Sequence, residues 1–390
     1  MREPAIIGFI GENANGVLRN STMAMGYHFA KKKISSPIID LCHPECFDYL
    51  RIAASKYDIL FCFGYAGIGA HLKSGEENLW DKFKMPFLSL MYDHPFYYPT
   101  HHNVSAKYVC NCYASEDFLE VQHEYIKSTQ PAVLLAISSN GYDKVHDLPW
   151  AMRDIGILFC KTGQNLAIYE DSFKVMPAFY RSVTMEAISA VKKKSDRKIT
   201  DLVRDQYLAA GIDCREDDKT WDDFVYIVRI IDQYIRDYRS NQLIEKTKHL
   251  PVIVVGNGWD HIDKEKCKAV FKPSVSAVEF DQLVRRSKII LNSHPYGRNA
   301  WHERVFQGLE SGAAVISDRT DFTDRHFSDL ANFVGFDWSD PEWPQKVEFC
   351  AQNLIETPFD ILPARHRLME RFPPDATANQ MIELGKKLRG

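Results

Sequence analysis

Short runs of consecutive apolar residues recur along the chain with helix-forming stretches between them, and this alternation constrains the fold more than any other feature. The first run, AIIGFI at 5–10, leads into the polar, glycine-containing loop GENANG and then a helical stretch over about 21–33. Further runs follow at 37–41, 58–64, 86–92, 108–113 and 132–137, several of them separated by helix-compatible segments. Strands spaced this way pair in parallel through crossover helices, so the sequence predicts an α/β domain with a parallel sheet.

A second series starts with GILFC near residue 155 and resumes, after a long break, with VIVVG at 252–256, KIILNS at 288–293, AAVIS at 313–317 and NFVGF at 332–336. The break, about 170–248, is rich in charge and helix formers. Within it Phe224, Ile227, Val228, Ile231, Tyr234, Ile235 and Tyr238 recur at helical spacing, which predicts a helical insertion with a core-facing stripe. The turn-prone VHDLPWAMRD separates the two series. A chain of 390 residues exceeds what one core organises. The expected domains are therefore 1–150, 151–373 with its insertion, and a helix over 374–390 that returns to the first domain.

Composition narrows the function. Apolar residues make up 45% and charged residues 26%, the mixture of a folded globular protein. No run reaches the ~18 to 20 apolar residues of a membrane span, and the first residues carry no signal-peptide apolar region, so a cytoplasmic location is expected, or one peripheral to the inner membrane face. A net charge of −4 provides no concentrated basic surface, which argues against nucleic acid as a partner. Nine cysteines are odd in number and scattered, so reduced thiols are expected. Cys42, His43 and Cys46 in LCHPEC have no second pair at zinc spacing, and Cys110 and Cys112 in YVCNCY fall on one face of a strand. No metal site is expected.

The window 288–318, KIILNSHPYGRNAWHERVFQGLESGAAVISD, carries most of the functional inference. A strand ends at Asn292 and Ser293, a loop runs to Arg298, and a helix is predicted over about 300–310, with Asn299 as N-cap and Gly312 as the stop. Free N–H groups and the positive end of a helix dipole then stand at the carboxyl end of a parallel strand, where a diphosphate can bind. His294, Arg298 and Arg304 are candidate charge partners. Glu303 and Gln307, four apart, and Arg304, three before Gln307, can cluster at the helix entrance, where a carboxylate or amide meets sugar hydroxyls. A solvated helix face is the plainer alternative. A second loop, VVGNGWD at 254–260, places Gly256 and Gly258 where backbone can approach phosphate or sugar, and an ordinary turn accounts for it equally well.

The stretch ERVFQGLESGAAVISD resembles the carboxyl-terminal donor motif of GT-B glycosyltransferases, in particular the CgeB-like (spore maturation protein) branch of the group 1 superfamily. Arg304 and Gly312 match that pattern, and Gln307 stands where the family has Glu. MPFLSLMYDHPFYY at 85–98 resembles the amino-domain segment of that branch ending in Asp-His-Pro, DIGILFCKTG at 154–163 its first carboxyl-domain strand, and VIVVGNGWD the following Gly-Trp strand end.

The resemblance implies two Rossmann-like domains facing a central cleft, the nucleotide-sugar donor on the second, the acceptor on the first, and no essential metal. The implied activity is metal-independent transfer of a sugar, as in polysaccharide biosynthesis, from a nucleotide diphosphate (UDP or GDP) to a hydroxyl of a glycan, lipid or protein. The implied donor residues are Lys161, Gly256, Asn257, Gly258, Trp259, His294, Tyr296, Arg298, Asn299, Glu303, Arg304 and Gln307. Asp93 and His94 form the best-placed ionisable pair in the first domain, one of them a candidate general base, although Asp93 can equally cap the loop before Pro95. Glu12 and Asn13 are candidate acceptor contacts. A nucleotide-sugar 2-epimerase of the same fold, or a catalytically silent sugar-nucleotide-binding module, are the alternatives.

Overall fold

The computed structural model describes residues 2–12, 16–126, 128–139, 148–193, 197–265, 267–356 and 362–389. The chain divides into two compact units, Met1–Ser139 with Phe372–Gly390, and Asn140–Arg371.

Unit 1 runs β1 (Glu3–Ile10), α1 (Val17–Lys31), β2 (Ile38–Asp40), α2 (Cys46–Lys56), β3 (Tyr57–Tyr65), the small hairpin β4 (Lys73–Ser74) and β5 (Glu77–Asn78), α3 (Leu79–Lys82), β6 (Phe87–Met91), β7 (Val109–Tyr113), α4 (Glu116–Tyr125) and β8 (Ala132–Leu134). Its main sheet is parallel, in the order β2-β1-β3-β6-β7-β8. Successive residues point to opposite faces, and both faces are covered. Ile6, Phe61, Phe63, Leu88, Cys110 and Cys112 pack beneath Met25 and Phe29 of α1. Ile7, Phe9, Cys62, Phe87 and Val109 pack with Cys46, Ala53 and Trp80 on the other side. All nine cysteines are free thiols.

Unit 2 runs β9 (Ile155–Cys160), α5 (Ala167–Val175), α6 (Ala178–Lys192), α7 (Ile199–Ala209), α8 (Asp218–Thr247), β10 (Val252–Val255), β11 (Val270–Lys272), α9 (Ala277–Arg286), β12 (Ser287–Asn292), α10 (Glu303–Ser311), β13 (Ala314–Asp318), α11 (Asp321–His326), β14 (Phe333–Phe336), α12 (Trp343–Glu356) and α13 (Leu362–Arg371). Its sheet is parallel in the order β11-β10-β9-β12-β13-β14, the doubly wound nucleotide-binding order. The crossover from β9 to β10 is the four-helix segment α5 to α8. The apolar stripe of α8 is buried from Phe224 through Ile235, and Tyr238 is half-buried, its ring 3.9 Å from the Lys192 ammonium.

The chain ends on α14 (Ala376–Arg389), which belongs to unit 1. Ala378 and Met381 enter the α1 side of its core, Gln380 donates to the Leu134 carbonyl at 2.9 Å, and Asp375 hydrogen-bonds His28 Nδ1 at 2.7 Å. Among the described residues no helix is long and apolar enough to cross a membrane.

One local expectation is corrected. The helix after β12 starts at Glu303, and its N-cap is His302, whose Nδ1 faces the Arg304 N–H at 3.2 Å. Asn299, a stronger capping residue by propensity, is buried three residues upstream with Oδ1 accepting from Arg325 at 3.2 Å. Gly312 ends the helix in the left-handed region, at φ 78.

Candidate functional site

The strand order of unit 2 reverses between β9 and β12. At such a reversal the loops leaving the two strands turn to opposite faces of the sheet, and the crevice outside their carboxyl ends receives ligands. Lys161 directly follows β9, Ser293 and His294 directly follow β12, and the first turn of α10 brings in Arg304.

Arg304 organises this cluster. One end of its guanidinium donates to the Cys160 carbonyl at the tip of β9, and the other lies 3.0 Å from His302 Nε2. Burial, and next the charge of Arg304, hold His302 well below the usual histidine range. A neutral imidazole has one lone pair, so it can accept from the Arg304 backbone N–H or from its guanidinium, but not from both. The Arg304 Nε is buried with no protein partner. Arg304 thus carries more N–H groups than the protein around it can satisfy, which suits an oxyanion.

Neighbouring groups reinforce the positive field. The Lys161 ammonium donates to the Arg236 carbonyl at 2.9 Å, and burial together with the charges of Arg236 and Arg304 lowers its pKa to about 7. Burial also lowers His294, only 1% exposed, and neither of its ring nitrogens has a protein partner. Its backbone N–H donates to Asp318 at 2.7 Å. The Ser293 hydroxyl, the Asn292 Oδ1 and the Gln307 Oε1 are likewise buried without partners. An unmet buried polar group costs about 1 to 3 kcal/mol, so a concentration of them beside a cationic cluster marks a place completed by a polar ligand. The donors suit phosphate oxygens, and the acceptors suit hydroxyls.

The glycine loop has an internal cause. A Cβ on Gly256, at φ 147, would lie 2.2 Å from the Lys161 carbonyl oxygen, and one on Gly258, at φ 82, 2.2 Å from the Gly163 carbonyl oxygen. Both glycines let 256–258 lie against 161–163, so they fix the Lys161 loop from behind. Trp259 is 2% exposed in the core, its indole N–H donating to the Lys161 carbonyl at 2.9 Å. Asn257 Oδ1 accepts from the Ser274 N–H at 3.1 Å. Glu303 is exposed on α10. Tyr296 and Arg298 line a separate cavity with 319–321 and 337–339, and neither Lys161 nor Arg304 belongs to its lining.

In unit 1, Asp93 is exposed just past β6, and His94 caps the short turn Pro95–Tyr97 with Nδ1 accepting from the Phe96 N–H at 3.2 Å. A backbone N–H only donates, so the neutral ring carries its proton on Nε2 and offers no lone pair there. The same logic reverses at His101, 2.8 Å from the Ala66 carbonyl through Nδ1, which leaves Nε2 as an acceptor. Glu12 is exposed after β1, and Asn13 lies outside the described residues.

His302, Arg236, Asp318 and His101 were missed by sequence reasoning. His302 was open to discovery, since it sits two residues before Arg304. Arg236 reaches the site from a helix interior that carried no motif of its own, whereas Asp318 closes the quoted stretch ERVFQGLESGAAVISD and was open to discovery.

Two parallel six-stranded units of this topology define the GT-B fold of glycosyltransferases. Residues 236–382, less than half of the chain, match the sequence model of a family described as glycosyl transferase-like. Over its whole length the chain is similar in fold to an α-glucosyltransferase solved with UDP-glucose and DNA containing an abasic site, at 10% identity, 98% of this chain, 99% of that one and a TM-score of 0.53. It is similar also to sucrose-phosphate synthase from Thermosynechococcus elongatus, at 10% identity, 99% of each chain and a TM-score of 0.50. No curated protein matches the sequence.

The Lys161 environment predicts a pH dependence. With a pKa of about 7 in the free protein, Lys161 is charged below neutrality and neutral above it. A bound polyanion raises that pKa, so affinity is full below about pH 7 and falls, by up to about tenfold per unit, until the bound-state pKa is passed. Calorimetry of UDP binding from about pH 6 to 9 should show this fall, with net proton uptake near neutrality. Lys161→Met should flatten the profile. A profile already flat in the wild type would contradict the assignment.

Proposed function

We propose that the chain is a glycosyltransferase of the group 1, CgeB-like kind, moving a sugar from a nucleoside diphosphate held by unit 2 to a hydroxyl of a glycan, lipid or protein held by unit 1. The observation that carries this reading is the cluster of half-buried Lys161, His302 and Arg304 with buried His294 at the strand reversal, with its unmet donors and acceptors. Cleavage of the sugar–phosphate bond leaves negative charge on the departing diphosphate. Preorganised cations and the positive end of α10 stabilise that charge more than they stabilise the intact donor. Gln307 and Asn292 offer oxygen acceptors to sugar or ribose hydroxyls. UDP and GDP are the leading candidates for the nucleotide, and the fold relative with UDP-glucose favours UDP.

On this reading Lys161, Arg236 and Arg304 supply the positive charge that a divalent ion supplies in other transferases. Transfer should therefore survive excess EDTA, and complete loss restored by magnesium or manganese would refute metal independence. The activity itself is tested by incubating the chain with UDP- and GDP-sugars, with and without glycan, lipid and peptide acceptors, and following nucleoside diphosphate. Acceptor-dependent release supports transfer. Conversion of the donor sugar without any acceptor identifies an epimerase, and binding without release identifies a silent module.

A further inference from the structure

Unit 2 holds a cavity of about 550 Å³ beside the donor cluster, bounded by the end of α6, Arg239 from within α8, residues 197–198, the loop 296–298, and the segments following β13 and β14. Its size falls within the roughly 300 to 1,000 Å³ of small-molecule sites. Asp318 stands between the two places. One of its oxygens accepts from the His294 N–H, and the other accepts from Trp338 Nε1 at 2.8 Å and lies 3.6 Å from Arg239. Arg239 in turn lies between the rings of Tyr296 and Trp338, at 5.3 and 5.4 Å.

The lining is strongly charged and unbalanced. Lys192, Arg197, Lys198, Arg239, Arg298 and Arg319 contribute positive charge, against Asp321, Asp324 and Asp337. Arg298 pairs with Asp321 at 3.0 Å and Arg319 with Asp324 at 2.8 Å, while Arg197 and Arg239 pair with Asp205 and Asp318 outside the lining. Lys192 contacts no carboxylate among the described residues. Its ammonium donates to Tyr234 at 2.9 Å and lies over Tyr238. The cavity therefore keeps a small positive excess, to which Lys192 contributes, while its carboxylates and the hydroxyl of Ser339 can still accept from a polyol. Inorganic phosphate alone would offer those carboxylates at most one or two P–OH groups and no hydroxyl-rich ring. A neutral sugar would leave the cations unused.

We propose that this cavity is a second ligand site that binds an anionic monosaccharide, one carrying a phosphate or a carboxylate on a hydroxyl-rich ring. The carbohydrate class rests on the glycosyltransferase reading, whereas the anionic requirement rests on the lining. The insertion helices α6 and α8 supply Lys192 and Arg239, so the site gives the insertion a role. Through Asp318 the occupied cavity bears on the loop that carries His294.

The test is calorimetric titration of the full chain, saturated with UDP so that the donor cluster is filled, with glucose 1-phosphate, glucuronate, glucose and inorganic phosphate. Glucose 1-phosphate or glucuronate should bind at a single site, and glucose and inorganic phosphate at least about tenfold more weakly, the contribution of one charge-assisted contact. Lys192→Ala should weaken the anionic sugar about tenfold and leave UDP affinity unchanged. Lys192→Gln, which removes the charge but keeps a polar chain, serves as the second variant, with an unchanged melting temperature as its control. The proposal is overturned if no anionic sugar binds, if glucose or phosphate binds as well, or if both Lys192 variants retain full affinity. UDP titrated alone reports on the donor reading separately. Its failure, with saccharide binding retained, overturns that reading and not this one.

Discussion

Arg304→Ala should lower UDP affinity by roughly 5- to 150-fold, the equivalent of about 1 to 3 kcal/mol for a charge-assisted hydrogen bond. The fold should survive. Arg304 is a half-buried cation whose own pKa is lowered by desolvation, so its removal relieves a cost that offsets the lost contacts to Cys160 and His302. The signature is a melting temperature nearly unchanged without ligand and a UDP-induced rise that shrinks or disappears. Arg304→Lys should recover only part of the affinity, because an ammonium cannot reach the β9 tip and His302 together. Unchanged affinity in Arg304→Ala would remove this residue from the site.

Much of this architecture was legible because a strand buried on both faces has to be apolar throughout. AIIGFI, GILFC, VIVV, KIILN and AVIS all became strands, and the stripe of α8 became core. The start of α10 was misplaced because capping propensity ranks Asn above His, and only tertiary packing drew Asn299 toward Arg325. Gly256, Gly258 and Trp259 illustrate a different limit. A sequence shows that such residues are unusual, but not whether a ligand or the chain's own backbone requires them. Here the backbone of 161–163 does. Apart from Arg304, the charges that tune Lys161 and His294 come from α8 and β13, distant in sequence, and no local spacing encodes them.

The second large effect concerns unit 1. His94 accepts from the Phe96 N–H through Nδ1, so its neutral ring presents a donor and not a base, which leaves Asp93 as the stronger candidate of the pair. Asp93→Asn should lower turnover about 100-fold or more with UDP affinity nearly unchanged. His94→Gln should lower the melting temperature and affect turnover less. Turnover for both variants, with saturating donor and acceptor, checks the assignment. Near-normal turnover in Asp93→Asn would sink it and favour a mechanism without this base, with His101 and then Glu12 next to replace.

The central claim is that the cluster at the β9 and β12 strand ends is a nucleoside diphosphate site. Its most direct test is calorimetric titration of the full chain with UDP and with GDP slightly below neutral pH, where Lys161 is charged. A single saturable site for one of the two nucleotides is predicted, weakened in Arg304→Ala and in Lys161→Met. Binding of neither nucleotide, or binding that both replacements leave untouched, would contradict it.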